Sequence, residues 1–170
     1  MFKTVLIFIS AADFNEQEFL VVKNAFENAG IKVFITSDAN GLCVGSNGLR
    51  TKADVNLYNA NAANFKAFII IGGNGIKNYW SNPLLHKLIN NFYKAGKVVS
   101  AICLAPVVLG KAGLLSGKKA TCYPDAQKEL VRSGSNYEEA PVVITEKIIT
   151  AQNPSAAGEF VQSILNMIAK

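Results

Sequence analysis

Apolar positions along the chain switch between two periods. Lys3 to Ile9 is a short, nearly continuous run rich in Val and Ile, the pattern of a strand buried on both faces of a parallel sheet. Ile31 to Thr36, Ala67 to Ile71 and Lys97 to Ile102 read the same way. Between these runs the period lengthens to that of a helix. Asn15 to Ala29 sets Phe19, Val22, Phe26 and Ala29 on one stripe and stops at Gly30, while Asn82 to Ala95 carries Leu84, Leu85, Leu88, Ile89 and Phe92 and closes at Gly96. Further strands are predicted at Lys119 to Cys122, Val142 to Thr145 and Lys147 to Thr150, and further helices at Asp125 to Arg132 and Ser155 to Ile168. Asp38 to Asn64, rich in Asn and Gly, is expected to be irregular, a small hairpin and a loop.

Alternating strands and helices imply right-handed βαβ units, with helices covering both faces of a mostly parallel sheet. In such α/β sheets the ligand site lies at the carboxyl ends of the strands, near the point where strand order reverses. That rule selects Ser10 to Glu18, Gly72 to Gly75, Cys103 to Pro106, Cys122 to Pro124 and Ala151 to Pro154.

Composition narrows the partners. The chain has 170 residues, half of them hydrophobic, which suits a single domain over 1–170 with a core that needs no metal or disulfide staple. There are 17 basic and 12 acidic side chains, a net charge of +5, but the lysines are scattered and no aromatic-basic interleaving marks a nucleic-acid platform. No apolar run reaches the roughly 18 residues of a membrane span, and the opening Val5 to Ile9 is too short for a signal-peptide core. Cys43, Cys103 and Cys122 are odd in number and widely spaced, which fits neither a disulfide framework nor a CxxC pair, so a reducing, cytoplasmic setting is expected.

Candidate chemistry concentrates at Cys103. An apolar strand, Val98 to Ile102, runs into this cysteine and then into a helix opened by Pro106. Ala101 and Ala105 are the small neighbours that a sharp strand-to-helix turn requires, as in a nucleophile elbow. A thiol there faces the positive end of a helix, which is expected to favour the thiolate; the competing reading is a buried, inert cysteine that ends a core strand. The loop Gly72-Gly73-Asn74-Gly75 lets backbone approach a ligand closely, but Asn78 stands where a dinucleotide fingerprint needs its third glycine, so no cofactor phosphate is implied. If this loop sits beside the elbow, the Gly73 and Leu104 amides can form an oxyanion hole; the competing reading is a glycine-rich turn alone. Glu18 follows the first strand, although Asn15 and Glu18 also make a capping box that would explain both residues. His86, the only histidine, falls on the polar side of its helix as a surface residue, which counts against Cys-His chemistry.

The elbow, the Gly-Gly loop and Glu18, together with Phe92 to Lys97 leading into Ala101 to Pro106 and then Lys119-Ala120-Thr121-Cys122-Tyr123-Pro124, resemble the ThiJ/PfpI superfamily from about Thr4 to Ile168. That family includes the Parkinson-associated protein deglycase and the PfpI-type intracellular proteases. The resemblance implies a flavodoxin-like three-layer sandwich of the class I glutamine amidotransferase type, usually dimeric or higher, with no metal or organic cofactor. It makes Cys103 the nucleophile and Glu18 its carboxyl partner, with Gly73 and Leu104 at the oxyanion hole and Tyr123, Asp13, Gly72 and Asn74 around them.

The departures bear on activity. Leu104 stands where PfpI-type proteases place histidine, Tyr123 where deglycase-type members carry histidine, and Ala151-Gln152-Asn153-Pro154 replaces the family's Ser-Arg-Gly-Pro. The reading that follows is a stress-response protein acting on reactive aldehydes through a Cys103 thiolate, with Glu18 shuttling protons. The alternatives are a redox-sensing or chaperone-like protein in which an oxidant converts Cys103 to the sulfinate without turnover, an intracellular cysteine peptidase disfavoured by Leu104, and an inactive binding member.

Overall fold

The computed structural model describes residues 3–39 and 41–170. Its first half contains β1 (Thr4–Phe8), β2 (Ala12–Phe14), α1 (Glu16–Asn28), β3 (Lys32–Ser37), β4 (Leu42–Gly45), β5 (Arg50–Lys52), β6 (Val55–Asn56) and β7 (Ala67–Ile70). Next come α2 (Pro83–Lys94), β8 (Val98–Ile102), α3 (Pro106–Lys111), β9 (Lys119–Ala120) and α4 (Gln127–Arg132). The chain finishes with β10 (Asn136–Tyr137), β11 (Val142–Thr145), β12 (Ile148–Ala151) and α5 (Ala157–Ala169).

Seven strands form the central sheet in the order β11-β12-β8-β7-β1-β3-β6. All neighbours are parallel except the β11–β12 hairpin. Val5 to Phe8, Ala67 to Ile70 and Val98 to Ile102 are buried throughout, as their unbroken apolar runs predict. Helix α1 packs with α5 and α2 packs with α3, and the helices enclose the sheet. This is the α/β sandwich expected from the alternation of periods.

The chain leaves β1 for β3 on one side and then crosses to β7 on the other, so strand order reverses at β1 and opens a crevice there. Register then decides what meets in it. Phe8 pairs with Ile70, and Ile70 with Ala101. Two residues further along each strand, Ser10, Gly72 and Cys103 therefore arrive at the same edge.

Two stretches differ from expectation. Of Lys119 to Cys122 only β9 is a strand, and it pairs with β10 outside the central sheet. The chain must then cross over the elbow, where the Thr121 amide donates to Thr150 Oγ1 at 3.0 Å and that of Tyr123 to Cys103 O at 2.8 Å. The Asp38 to Asn64 stretch, in which Asn40 lies outside the described residues, holds the expected hairpin as β4–β5. It also supplies β6 at the edge of the main sheet, and β4 pairs with β2 in a small second sheet.

Candidate active site

Cys103 sits in the left-handed region with φ 66°, a conformation strained for a residue with a side chain. The corner is pinned from both sides. The Cys103 amide donates to Ala151 O at 2.9 Å, its carbonyl accepts from Tyr123, and the Ala105 amide returns to Ile102 O at 3.1 Å. Ala101 and Ala105, on either side of this turn, are fully buried. The sulfur-bearing residue is 6% exposed, at the base of a cleft of about 350 Å³.

Glu18 lies behind that cleft, fully buried in the first turn of α1. Half of a capping box is present, because Asn15 Oδ1 accepts the Glu18 amide at 2.9 Å. The other half is diverted. Asn15 gives its own amide to Gly72 O at 3.0 Å, and the Glu18 carboxyl turns inward to accept from the Gly72 amide at 2.9 Å. This inward turn brings the carboxyl to the Cys103 thiol, and each alters the other's acidity through that approach. Oε2 has no partner of good hydrogen-bond geometry, so the contact is a close approach rather than an aligned bond.

Burial pushes the Glu18 carboxyl up to about 8, against the opposing pull of the Gly72 amide and the thiol. The thiol is pushed up as well, first by burial and then by the charge on Glu18, while the neighbouring Gly73 and Leu104 amides pull it down. A helix-tip effect alone had pointed to an acidic thiol; desolvation reverses that sign. The carboxylate's share of the rise disappears whenever Glu18 holds the proton, which its own elevated pKa favours near neutrality.

The glycines are required by space. A Cβ on Gly72 would lie 2.8 Å from the Cβ of Cys103 and 2.7 Å from Ile102 O; one on Gly73, at φ 108°, would lie 2.5 Å from the Asn15 nitrogen. Asp13, Gly73, Asn74, Leu104 and Tyr123 share the cleft lining with Cys103, while Gly72 and Glu18 form the layer beneath. The loop and the elbow are thus adjacent, as the oxyanion-hole reading requires. Cys43 and Cys122 are fully buried elsewhere, their thiols raised by burial.

Trp80, Lys77 and Asp125 escaped the sequence reading. Trp80 Nε1–H donates to Leu104 O at 2.9 Å, tying the elbow to the segment after the glycine loop. No local pattern marks it, because Asn74–Tyr79 is a six-residue 3₁₀ segment without α-helical periodicity. Lys77 and Asp125 line the cleft just beyond motif ranges that the strand-end rule selects. His86 is half-buried rather than a freely solvated surface residue, and its Nε2 bonds the Trp80 carbonyl at 2.8 Å. It is absent from the cleft lining.

The model described as the DJ-1/PfpI family matches residues 3–167. An uncharacterized protein of Methanocaldococcus jannaschii is 42% identical over 98% of this chain and 82% of its own length. A deglycase of Pyrococcus horikoshii is 26% identical over 88% of this chain and 90% of its own. For a glutathione-independent glyoxalase of Caenorhabditis elegans the values are 27%, 98% and 89%. Among solved structures, a ThiJ/PfpI domain protein of Brachyspira murdochii superposes with a TM-score of 0.96 at 24% identity, covering 99% of this chain and 97% of that one.

Proposed function

The chain belongs to the DJ-1/PfpI family, and from that premise we propose a cysteine-dependent stress protein that consumes reactive aldehydes in the glyoxalase or deglycase manner. The observation that carries the reading is Glu18, a buried carboxyl raised to about 8 beside the elbow sulfur. Such a group is poised to give and take protons near neutral pH. Relatives named for deglycase and glyoxalase activities support the same class.

For a 2-oxoaldehyde, the Cys103 thiol gives its proton to the Glu18 carboxylate as the sulfur bonds to the aldehyde carbon, and the carbonyl oxygen becomes an alkoxide facing the Gly73 and Leu104 amides, to be protonated in turn from Glu18. Protonation there gives a hemithioacetal. Glu18 then moves a proton from that carbon to its neighbour through an enediol, which leaves a thioester of the 2-hydroxy acid. Water cleaves the carbon–sulfur bond, releasing the acid and restoring the thiol. Oxidation states balance within the substrate, and no external reductant or oxidant enters. Cleft-lining Tyr123 offers a hydroxyl but is a poor base near neutrality.

The test is methylglyoxal consumption by the wild type and by Cys103→Ser and Glu18→Gln. Turnover surviving in either variant would remove the reading.

One observation favours a second reading, the redox-responsive one. Glu18 Oε2 is buried without a hydrogen-bond partner. Two equivalents of peroxide carry the Cys103 thiol through the sulfenic acid to the sulfinate, and a protonated Glu18 then donates a hydrogen bond to a sulfinate oxygen. The peptidase reading has no such support, because the sole histidine is engaged with Trp80 away from the cleft.

A further inference from the structure

The cleft in front of Cys103 carries charge opposite in sign to the protein around it. The chain as a whole is at +5. The charged side chains on the lining are Asp13, Asp125 and Lys77, two acids against one base. None of the three enters an ion pair among the described residues. Glu16 adds a further carboxylate near the rim: its Oε2 accepts the amides of Asn47 at 2.5 Å and Leu49 at 3.0 Å, on the loop whose Ser46 lines the cleft. A concave site walled by protein focuses the field of uncompensated charges on whatever enters. The remaining polar side chains on the lining, Asn15, Ser46, Asn74 and Tyr123, are neutral hydrogen-bonding groups.

We propose that the cleft admits neutral or cationic carbonyl compounds and turns away those bearing a carboxylate, with Asp13 and Asp125 as the specificity-determining residues. The proposal rests on the reading of Cys103 as the aldehyde-attacking nucleophile. An anionic oxo acid must bring its charge past both aspartates toward a sulfur that turns negative as it reacts. A neutral 2-oxoaldehyde meets no such repulsion, and an amine-bearing carbonyl compound is drawn in. Lys77 is the single opposing charge, so its removal sharpens the selection.

The sulfur itself can report this potential without turnover. Two methanethiosulfonate reagents, one ending in trimethylammonium and the other in sulfonate, each form a disulfide with the thiolate and release methanesulfinate. With rates normalised to a small free thiol and the label mapped to Cys103, the cationic reagent should react about tenfold faster or more at low ionic strength, and the ratio should shrink with salt. Asp125→Asn and Asp13→Asn should each narrow it severalfold; asparagine tolerates the left-handed φ of 61° at position 13. Lys77→Gln should widen it. Turnover of methylglyoxal and of 4,5-dioxovalerate, a 2-oxoaldehyde that bears a carboxylate, is measured in parallel, with the dioxovalerate expected to be the poorer substrate. Equal normalised rates, or a faster anionic reagent, overturn the charge selection even if methylglyoxal is consumed. The expected ratio without aldehyde turnover leaves the selection standing and removes the aldehyde chemistry instead.

Discussion

Glu18 and Gly72 are joined across the strand-order reversal: Oε1 of the one accepts the amide hydrogen of the other at 2.9 Å. The bond fixes a buried carboxyl beneath the elbow, and the glycine's carbonyl is in turn held by the Asn15 amide. One dipeptide-sized patch therefore sets the position of the carboxyl, the start of α1 and the floor under Cys103.

Stability should depend on pH through Glu18. Its folded-state pKa, about 8, lies above the ordinary 4.5, so the fold prefers the protonated carboxyl. That contribution is complete below the ordinary value and is lost as pH rises through the folded one. The urea midpoint should fall between about pH 5 and about pH 8, and Glu18→Gln, which stays neutral, should flatten the slope over that window. A wild-type midpoint that rises across it would contradict the assigned burial of the carboxyl.

Gly72→Ala should destabilise the fold by about 1–3 kcal/mol, because the added methyl meets backbone at Ile102 O and the Cβ of Cys103, neither of which can swing aside. It also meets Glu18 Oε1 at 2.8 Å. Methylglyoxal turnover should therefore drop even at temperatures where circular dichroism shows the variant folded. A loss confined to stability would mean that Glu18 does not need this seat.

These contacts also explain how far the sequence could be read. The elbow was legible because its requirements are local: Ala101, Ala105 and Pro106 stand at fixed distances from Cys103. The buried strands were legible because parallel pairing on both faces demands unbroken apolar runs. Glu18 was ambiguous, since a capping box and an inward carboxyl use the same residue, and only the three-dimensional placement of the Gly72 amide, which no local pattern predicts and which donates to Oε1 at 2.9 Å, decides which way the side chain turns. Trp80 and β10, the partner of the anticipated β9, left no trace, being fixed by distant partners rather than by period. Between a thiolate and a buried, inert thiol at Cys103 the chain alone does not decide, because a helix tip is visible in it and desolvation is not.

Oxidation should discriminate among the three thiols. Cys43 and Cys122 are fully buried, whereas Cys103 opens onto the cleft beside Glu18. Limited peroxide should place two oxygens on Cys103 first, read by peptide mass spectrometry, and Glu18→Gln should change how far oxidation proceeds past the first oxygen. Uniform oxidation of all three cysteines would count against the redox reading.

Self-association should bury the apolar side chains left in the open. Leu20 and Val21 on α1 and Leu42 and Val44 on β4 are 36–49% exposed, and Gly45 lies against the Glu16 side chain, so the end of β4 meets the start of α1. The homodimer implied by the family resemblance would cover this face. Light scattering should report twice the chain mass for the wild type, and Leu20→Glu combined with Leu42→Glu should return the monomer mass without loss of folded signal. A wild-type monomer at high concentration would leave these residues as ordinary surface.

Trp80 should act as a positioning residue for the Leu104 amide. Its indole donates to Leu104 O, and the Leu104 amide is one of the two whose proximity pulls the thiol's pKa down against burial. Trp80→Phe keeps an aromatic ring, smaller than the indole, and removes the donor, which costs about 1 kcal/mol of hydrogen bonding and loosens the residue that must face the developing oxyanion. An interaction that matters only as charge develops should lower kcat by roughly five- to tenfold with little change in KM. A merely structural role would lower the melting temperature while leaving kcat of the folded fraction intact, so measuring both separates the two.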